Sequence, residues 1–177
     1  MFRRVTLAFV LAALLTPATT YADDAEATMA DTKAWLEGEG MALMRGLSSQ
    51  DNRRLGVFML VNYSVSDLHV DNCVISWTDH FDTRLQVPSS EPEIKKNTSR
   101  VQLQLKDLDT GGIGVRMTTV LSDVAIPIVQ IPLRTQAITT NGTNGASIHV
   151  RSTEDGERVA SAVRRAAILC GAQISPF

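Results

Sequence analysis

Residues 152–171 read STEDGERVASAVRRAAILCG, and the reading of this stretch decides the fold. Ser152 or Thr153 can accept from the first free N–H groups of a helix, and Glu154, Asp155 and Glu157 put negative charge at the positive end of its dipole. Val159, Ala162, Val163, Ala166, Ala167 and Cys170 recur at helical spacing, Arg158, Arg164 and Arg165 fall outside that stripe, and Gly171 stops the run. A stripe of small residues must be buried against a second layer.

The preceding residues supply that layer. Val101-Gln102-Leu103-Gln104-Leu105-Lys106 alternates apolar and polar, as a half-buried strand does. Leu55 to Val65 and Val70 to Thr78 have the same period, with Cys73, Ile75 and Trp77 on one face, and Ser64-Val65-Ser66-Asp67 is suited to a hairpin between them. A break at Val87 to Pro92 precedes the next strand. Asp109-Thr110-Gly111-Gly112 turns the chain into Ile113 to Leu121, and Val124 to Leu133 follows, where Pro127 and Pro132 predict an edge or bulged strand. Asn141-Gly142-Thr143-Asn144-Gly145 is a hairpin signal between Gln136 to Thr140 and Ser147 to Arg151. Strands joined by short turns predict an α+β fold. Its antiparallel sheet, or partly open barrel, has six to seven strands and a packed C-terminal helix.

Ahead of the strands, Trp35, Leu36, Leu43, Met44 and Leu47 predict a helix from Thr28 to about Leu47, interrupted by Gly38 and Gly40, and 48–52 reads as a loop. Residues 1–22 have the pattern of a cleavable secretory signal: Arg3-Arg4, an apolar run from Val5 to Leu15, and a small-x-small site ending at Ala22. That run is shorter than the roughly 20 residues needed to span a bilayer. Residues 23–27 read as a flexible leader, and 28–177 as a single globular domain that is exported to the periplasm or the medium, free or at most peripherally attached.

In an oxidising compartment Cys73 and Cys170 are expected to pair. A redox role would call for adjacent cysteines and a metal site for further ligands.

The stretch Val101 to Val115, with Leu-Lys-Asp-Leu-Asp at its centre, and Glu154 to Gly171, ending Ile168-Leu169-Cys170-Gly171, resemble segments of uncharacterised exported bacterial proteins with a pleckstrin-homology-like (PH-like) domain. The two segments cover about a fifth of the chain. The resemblance implies antiparallel strands closed by one C-terminal helix, and a binding module in place of an enzyme.

The densest polar cluster is Asp67, His69 and Asp71 followed by Asp79, His80 and Asp82. Asp67, His69 and Asp71 on one strand face have the donor set of a metal site, and His80 beside Asp79 and Asp82 that of a general base oriented by an acid. The same letters suit a solvent-facing strand and a polar turn. No Gly-x-Ser-x-Gly elbow occurs, and Gly111-Gly112-Ile113-Gly114 leads into a strand, where a phosphate loop leads into a helix. The full chain has a net charge of −2, and loss of Arg3 and Arg4 would make it −4. With few, scattered aromatics, this disfavours nucleic acid.

The residues therefore predict an envelope binding or structural module without a cofactor, meeting a protein or small ligand. The alternative is a small metal-dependent or acid/base enzyme using His69, Asp71, His80 and Asp82. Denaturing mass spectrometry of the protein recovered from its host, with thiols alkylated, is expected to give a chain starting at Asp23, unalkylated and two hydrogens light. A mass that retains Arg3 and Arg4 would contradict export by cleavage.

Overall fold

The computed structural model describes residues 28–52, 56–88, 90–119, 125–134 and 145–174. The proposed signal and leader, the expected strand 136–140 and the turn residues 141–144 lie outside the described residues. In chain order the elements are α1 (Met29–Trp35), a π-helical turn (Leu36–Gly40), α2 (Met41–Leu43), β1 (Arg45–Asn52), β2 (Val57–Asp71), β3 (Val74–Gln86) and β4 (Glu93–Gln104). A 3₁₀ turn (Leu105–Asp107), β5 (Gly114–Thr119), β6 (Ala125–Pro132), β7 (Gly145–His149) and α3 (Thr153–Leu169) complete them. The strands form two antiparallel sheets, β1-β2-β3-β4 and β5-β6-β7.

The helical N-terminal segment is shorter than its periodicity predicts, because after Met44 the chain becomes β1. Leu47 is thereby carried onto a strand, where it is 62% exposed, while Leu36 and Met44 enter the core. The polar run 48–52, expected as a loop, is the rest of β1, held by backbone pairing to residues 57–61 of β2.

β2 also departs from expectation. The polar residues 64–67 do not turn the chain back; they carry a β-bulge between Ser66 and His69, with Asp67 at φ 51°. The hairpin turn is Asn72-Cys73, at φ 47° and 61°, between the paired residues Asp71 and Val74. Positive φ at both central positions matches the twist of the flanking strands, and Asn tolerates it best among residues with a side chain. Leu105 donates its N–H to the Cys73 carbonyl at 2.8 Å, so the turn is tied to the end of β4.

In the second sheet β6 is the central strand, contrary to the edge position that its prolines suggest. β5 pairs with 125–130 of β6 and β7 with 128–132, so Pro127 and Pro132 each fall where the sheet has a paired neighbour on one side only. A missing N–H costs least there.

α3 follows its sequence closely. Ser152 Oγ accepts from Asp155 N at 3.1 Å. Gly171, at φ 85°, and Ala172 return N–H groups to the carbonyls of Ile168 and Ala167, so that the last turn's acceptors are satisfied. Val159, Ala160, Val163, Ala166 and Ala167 are buried in one core with Trp77, Ile75 and Leu103 of the first sheet and Val129, Ile131 and Ile148 of the second. Cys73 and Cys170 meet there at disulfide distance, Sγ to Sγ 2.09 Å, linking the β2–β3 turn to the end of α3.

The bridge closes a loop of 97 residues, and a loop of about 100 constrains the unfolded chain by up to about 4.7 kcal/mol. Cys170→Ser is expected to lower unfolding free energy by about 2–4 kcal/mol in oxidising buffer, with an unchanged circular dichroism spectrum. Equal denaturation midpoints for variant and wild type would contradict the staple.

Candidate functional site

A groove of about 650 Å³ lies between α1 and α3, lined by Asp31, Thr32, Trp35, Arg158, Ala162 and Arg165, with Glu157 and Ser161 beside them. Local chemistry sets its α1 wall. Thr28 Oγ1 accepts from Asp31 N at 3.2 Å while Asp31 Oδ2 accepts from Thr28 N at 3.0 Å, and this capping box fixes where the helix starts. The π-helical turn then brings Gly40 beneath the Trp35 ring, and a Cβ there would stand 2.8 Å from Trp35 Cζ3. Gly40, expected only to weaken a helix, makes room for the indole.

On the opposite wall, the Arg158 guanidinium lies 5.6 Å from the centroid of the Trp35 ring, within cation–π range, and its Nη2 is 3.6 Å from Glu39 Oε2. The floor is Thr32 and Ala162, and the rim carries both charge signs. The groove can take an apolar or aromatic group against Trp35, with a polar end among the rim charges.

A second cluster is buried where the two sheets meet. Asp79 Oδ1 accepts from Tyr63 Oη at 2.6 Å and from Trp77 Nε1 at 2.7 Å. The Tyr63 ring packs on Phe81 and, at 4.4 Å between centroids, on His149 of β7. Burial pushes the Asp79 carboxyl above its ordinary pKa, against the opposing pull of its two hydrogen bonds. Burial and the Asp79 charge hold the Tyr63 hydroxyl well above its usual range, and burial lowers the His149 imidazole. The Tyr63 and Trp77 side chains are at most 1% exposed, so this cluster is a seam of the core with no opening for a substrate.

The polar residues singled out in the sequence separate by face. His69, Asp71, His80 and Asp82 all occupy outward positions of the first sheet, while Asp79, their neighbour in sequence, points inward. His69 and Asp71 border a hollow of about 260 Å³ with Asn72, Ser76 and Gln102. His69 Nδ1 is 3.8 Å from Glu37 Oε1, an oxygen that also accepts from Val70 N at 2.8 Å. His80 Nε2 is 2.8 Å from Ser66 Oγ, which donates in turn to Asp67 Oδ2 at 3.0 Å. Among the described residues no three His, Cys, Asp or Glu side chains converge as metal ligands, so His69 with Asp71 and His80 with Asp82 stand apart.

Alternation alone could have found Asp79: it follows Ile75 and Trp77 at spacing two, on the face assigned to the core. The groove left no such signal, since it joins α1 to α3 across more than 120 residues. No protein-family model, curated protein or solved structure matches the chain.

The buried pair sets a pH signature. His149, lowered below 6.5, contributes stability that is complete above pH 6.5 and is lost as pH falls through that value. Asp79, raised above 3.8, acts in reverse: its ionisation in the core removes stability as pH rises from about 4 through its folded pKa. Asp79→Asn keeps an acceptor for Tyr63 and Trp77 and removes the charge. Its stability relative to wild type is therefore expected to increase from pH 4 to pH 7 in chemical denaturation. A difference that is flat, or that decreases with pH, would contradict the burial of a titrating carboxylate.

Proposed function

We propose that this domain is a non-enzymatic binding module of the cell envelope, which holds a small amphiphile in the groove between α1 and α3. The observation that carries this reading is the groove itself: an indole seated over a glycine, an alanine floor, and a guanidinium poised over the ring. Trp35 is half-buried, packed on the core and also bordering the open hollow, where an apolar group can meet it. Export is supported by the signal-like pattern of residues 1–22 and by the Cys73–Cys170 pair. Among the described residues no helix is long and apolar enough to cross a membrane. The PH-like resemblance is supported by the order of four strands, then three, then a closing helix. That likeness is an architectural analogy and assigns no ligand.

The enzymatic alternative has one observation in its favour, the 2.8 Å contact of Ser66 Oγ with His80 Nε2. With Ser66 donating to Asp67, however, His80 is left to donate to the same oxygen, the reverse of a base drawing a proton from a nucleophile.

The fluorescent probe 1-anilinonaphthalene-8-sulfonate, an aromatic anion, tests the groove. It is expected to bind the wild-type protein with enhanced emission, to bind at least about tenfold more weakly when Ala162→Arg fills the floor, and to be unaffected by His69→Ala with His80→Ala. Binding that survives Ala162→Arg would remove the groove from the proposal. Loss of binding in the histidine variant would move the site to the outer face of the first sheet.

A further inference from the structure

The far end of the first sheet stands away from the core: residues 93–98 of β4 are exposed on both of its faces. Strand register defines what the outward face of this arm presents. Leu60, Arg84 and Ile94 form one row; Leu47, Asn62, Asp82 and Lys96 the next; Arg45, Ser64, His80 and Thr98 a third; and Ser66, Thr78 and Arg100 a fourth. Phe58 precedes the first row, opposite Asp51 and Gln86.

Two properties of this face act together. Leu47 is 62% exposed, Ile94 62% and Phe58 37%, so large apolar side chains stand in water on one side of one sheet. Around them, outward register positions hold the cations Arg45, Arg84, Lys96 and Arg100 against the carboxylate Asp82, on a chain whose overall charge is −2. Elsewhere Lys33, Lys95, Arg151 and Arg158 are each within 4 Å of a carboxylate. Among the described residues, Arg45, Arg84, Lys96 and Arg100 are in no ion pair.

From this we infer that the outward face of the β1–β4 arm docks onto an anionic lipid surface. Leu47, Phe58 and Ile94 enter the headgroup boundary, and Arg84, Lys96, Arg45 and Arg100 meet the lipid phosphates. Exposed apolar groups ringed by unpaired cations complement an interface that is apolar beneath and negative above. A nucleic acid would use the cations and leave Leu47 and Ile94 in water. This surface is separate from the α1–α3 groove and does not depend on it.

The test is co-sedimentation of the mature chain with vesicles of phosphatidylcholine alone and of equal parts phosphatidylcholine and phosphatidylglycerol. Binding is expected to the anionic vesicles only, to weaken by at least about tenfold in Arg84→Glu with Lys96→Glu, since each cation at such a surface is worth about fivefold, and to fall similarly in roughly 0.5 M salt. Ile94→Ser with Leu47→Ser is expected to weaken vesicle binding while leaving the weak attraction to a single-stranded DNA oligomer unchanged. Both double variants are expected to keep the wild-type circular dichroism spectrum, because all four side chains are exposed; the salt series on unmodified protein reads the charge contribution independently. No binding to anionic vesicles, or equal binding to both compositions, would overturn the inference. So would apolar substitutions without effect on vesicle binding, which would reduce the face to a general polyanion binder. Self-association abolished by Ile94→Ser, without vesicle binding, would make the face an interface between copies and equally overturn it.

Discussion

The rest of the structure depends on how closely α3 can approach the second sheet. At Gly156 a Cβ would stand 2.7 Å from Val115 Cγ2 and 3.1 Å from Val150 Cγ2, and the turns that follow present Ala160, Val163, Ala166 and Ala167 to the core. Small residues let the helix sit deep, and depth brings its C-terminal turn within reach of Cys73. The same placement lets Arg164 donate from the helix to the carbonyls of Thr110 and Ile113, fastening the loop that joins the two sheets. It also leaves the outer side of α3, with Arg158, Ala162 and Arg165, facing α1 to form the groove. One helix thus has two tasks, divided by face: closing the core and walling a hollow.

The seam where the sheets meet has a different character. Tyr63 and Trp77 both donate to Asp79 Oδ1, and His149 reaches across from β7 to stack on Tyr63. Gly46 of β1 allows that approach, a Cβ there falling 3.2 Å from His149 Cβ. A buried carboxylate is costly unless its lone pairs are used, and here both donors come from aromatic side chains whose rings are themselves core. Such a cluster specifies how the sheets join better than it stabilises them.

How much of this was legible in the sequence depended on whether the signal was local. The caps of α3 at Ser152 and Gly171 and the alternation of Val101 to Lys106 are local; the helix forms where its caps point, and the strand ends at Gln104, with Leu105 and Lys106 in the 3₁₀ turn. The hairpin was misplaced because Ser66 and Asp67, turn-forming by composition, serve a bulge instead, while the actual turn uses Cys73, whose conformation is set with its distant partner Cys170. The run 48–52 has a loop's composition, and pairing with β2 overrode it. Pro127 and Pro132 misled because a strand can be central over part of its length and flanked on one side at its ends. The outward face that His69 and His80 share was implicit in the alternation. The groove depends on Gly40 lying beneath Trp35 and on α3 arriving opposite, neither of which has a signature in the letters.

The protein contains Trp35 and Trp77, which report on the groove and on the core respectively. Their indole N–H signals in a nitrogen-15 correlation spectrum therefore test the central claim directly, during titration with a single-chain anionic amphiphile below its micelle concentration. If the hollow between α1 and α3 is the binding site, the Trp35 signal moves in a saturable way while that of Trp77, bonded to Asp79, stays in place. A titration in which Trp35 does not respond, or in which Trp77 moves first, would show that the groove is not where this domain binds.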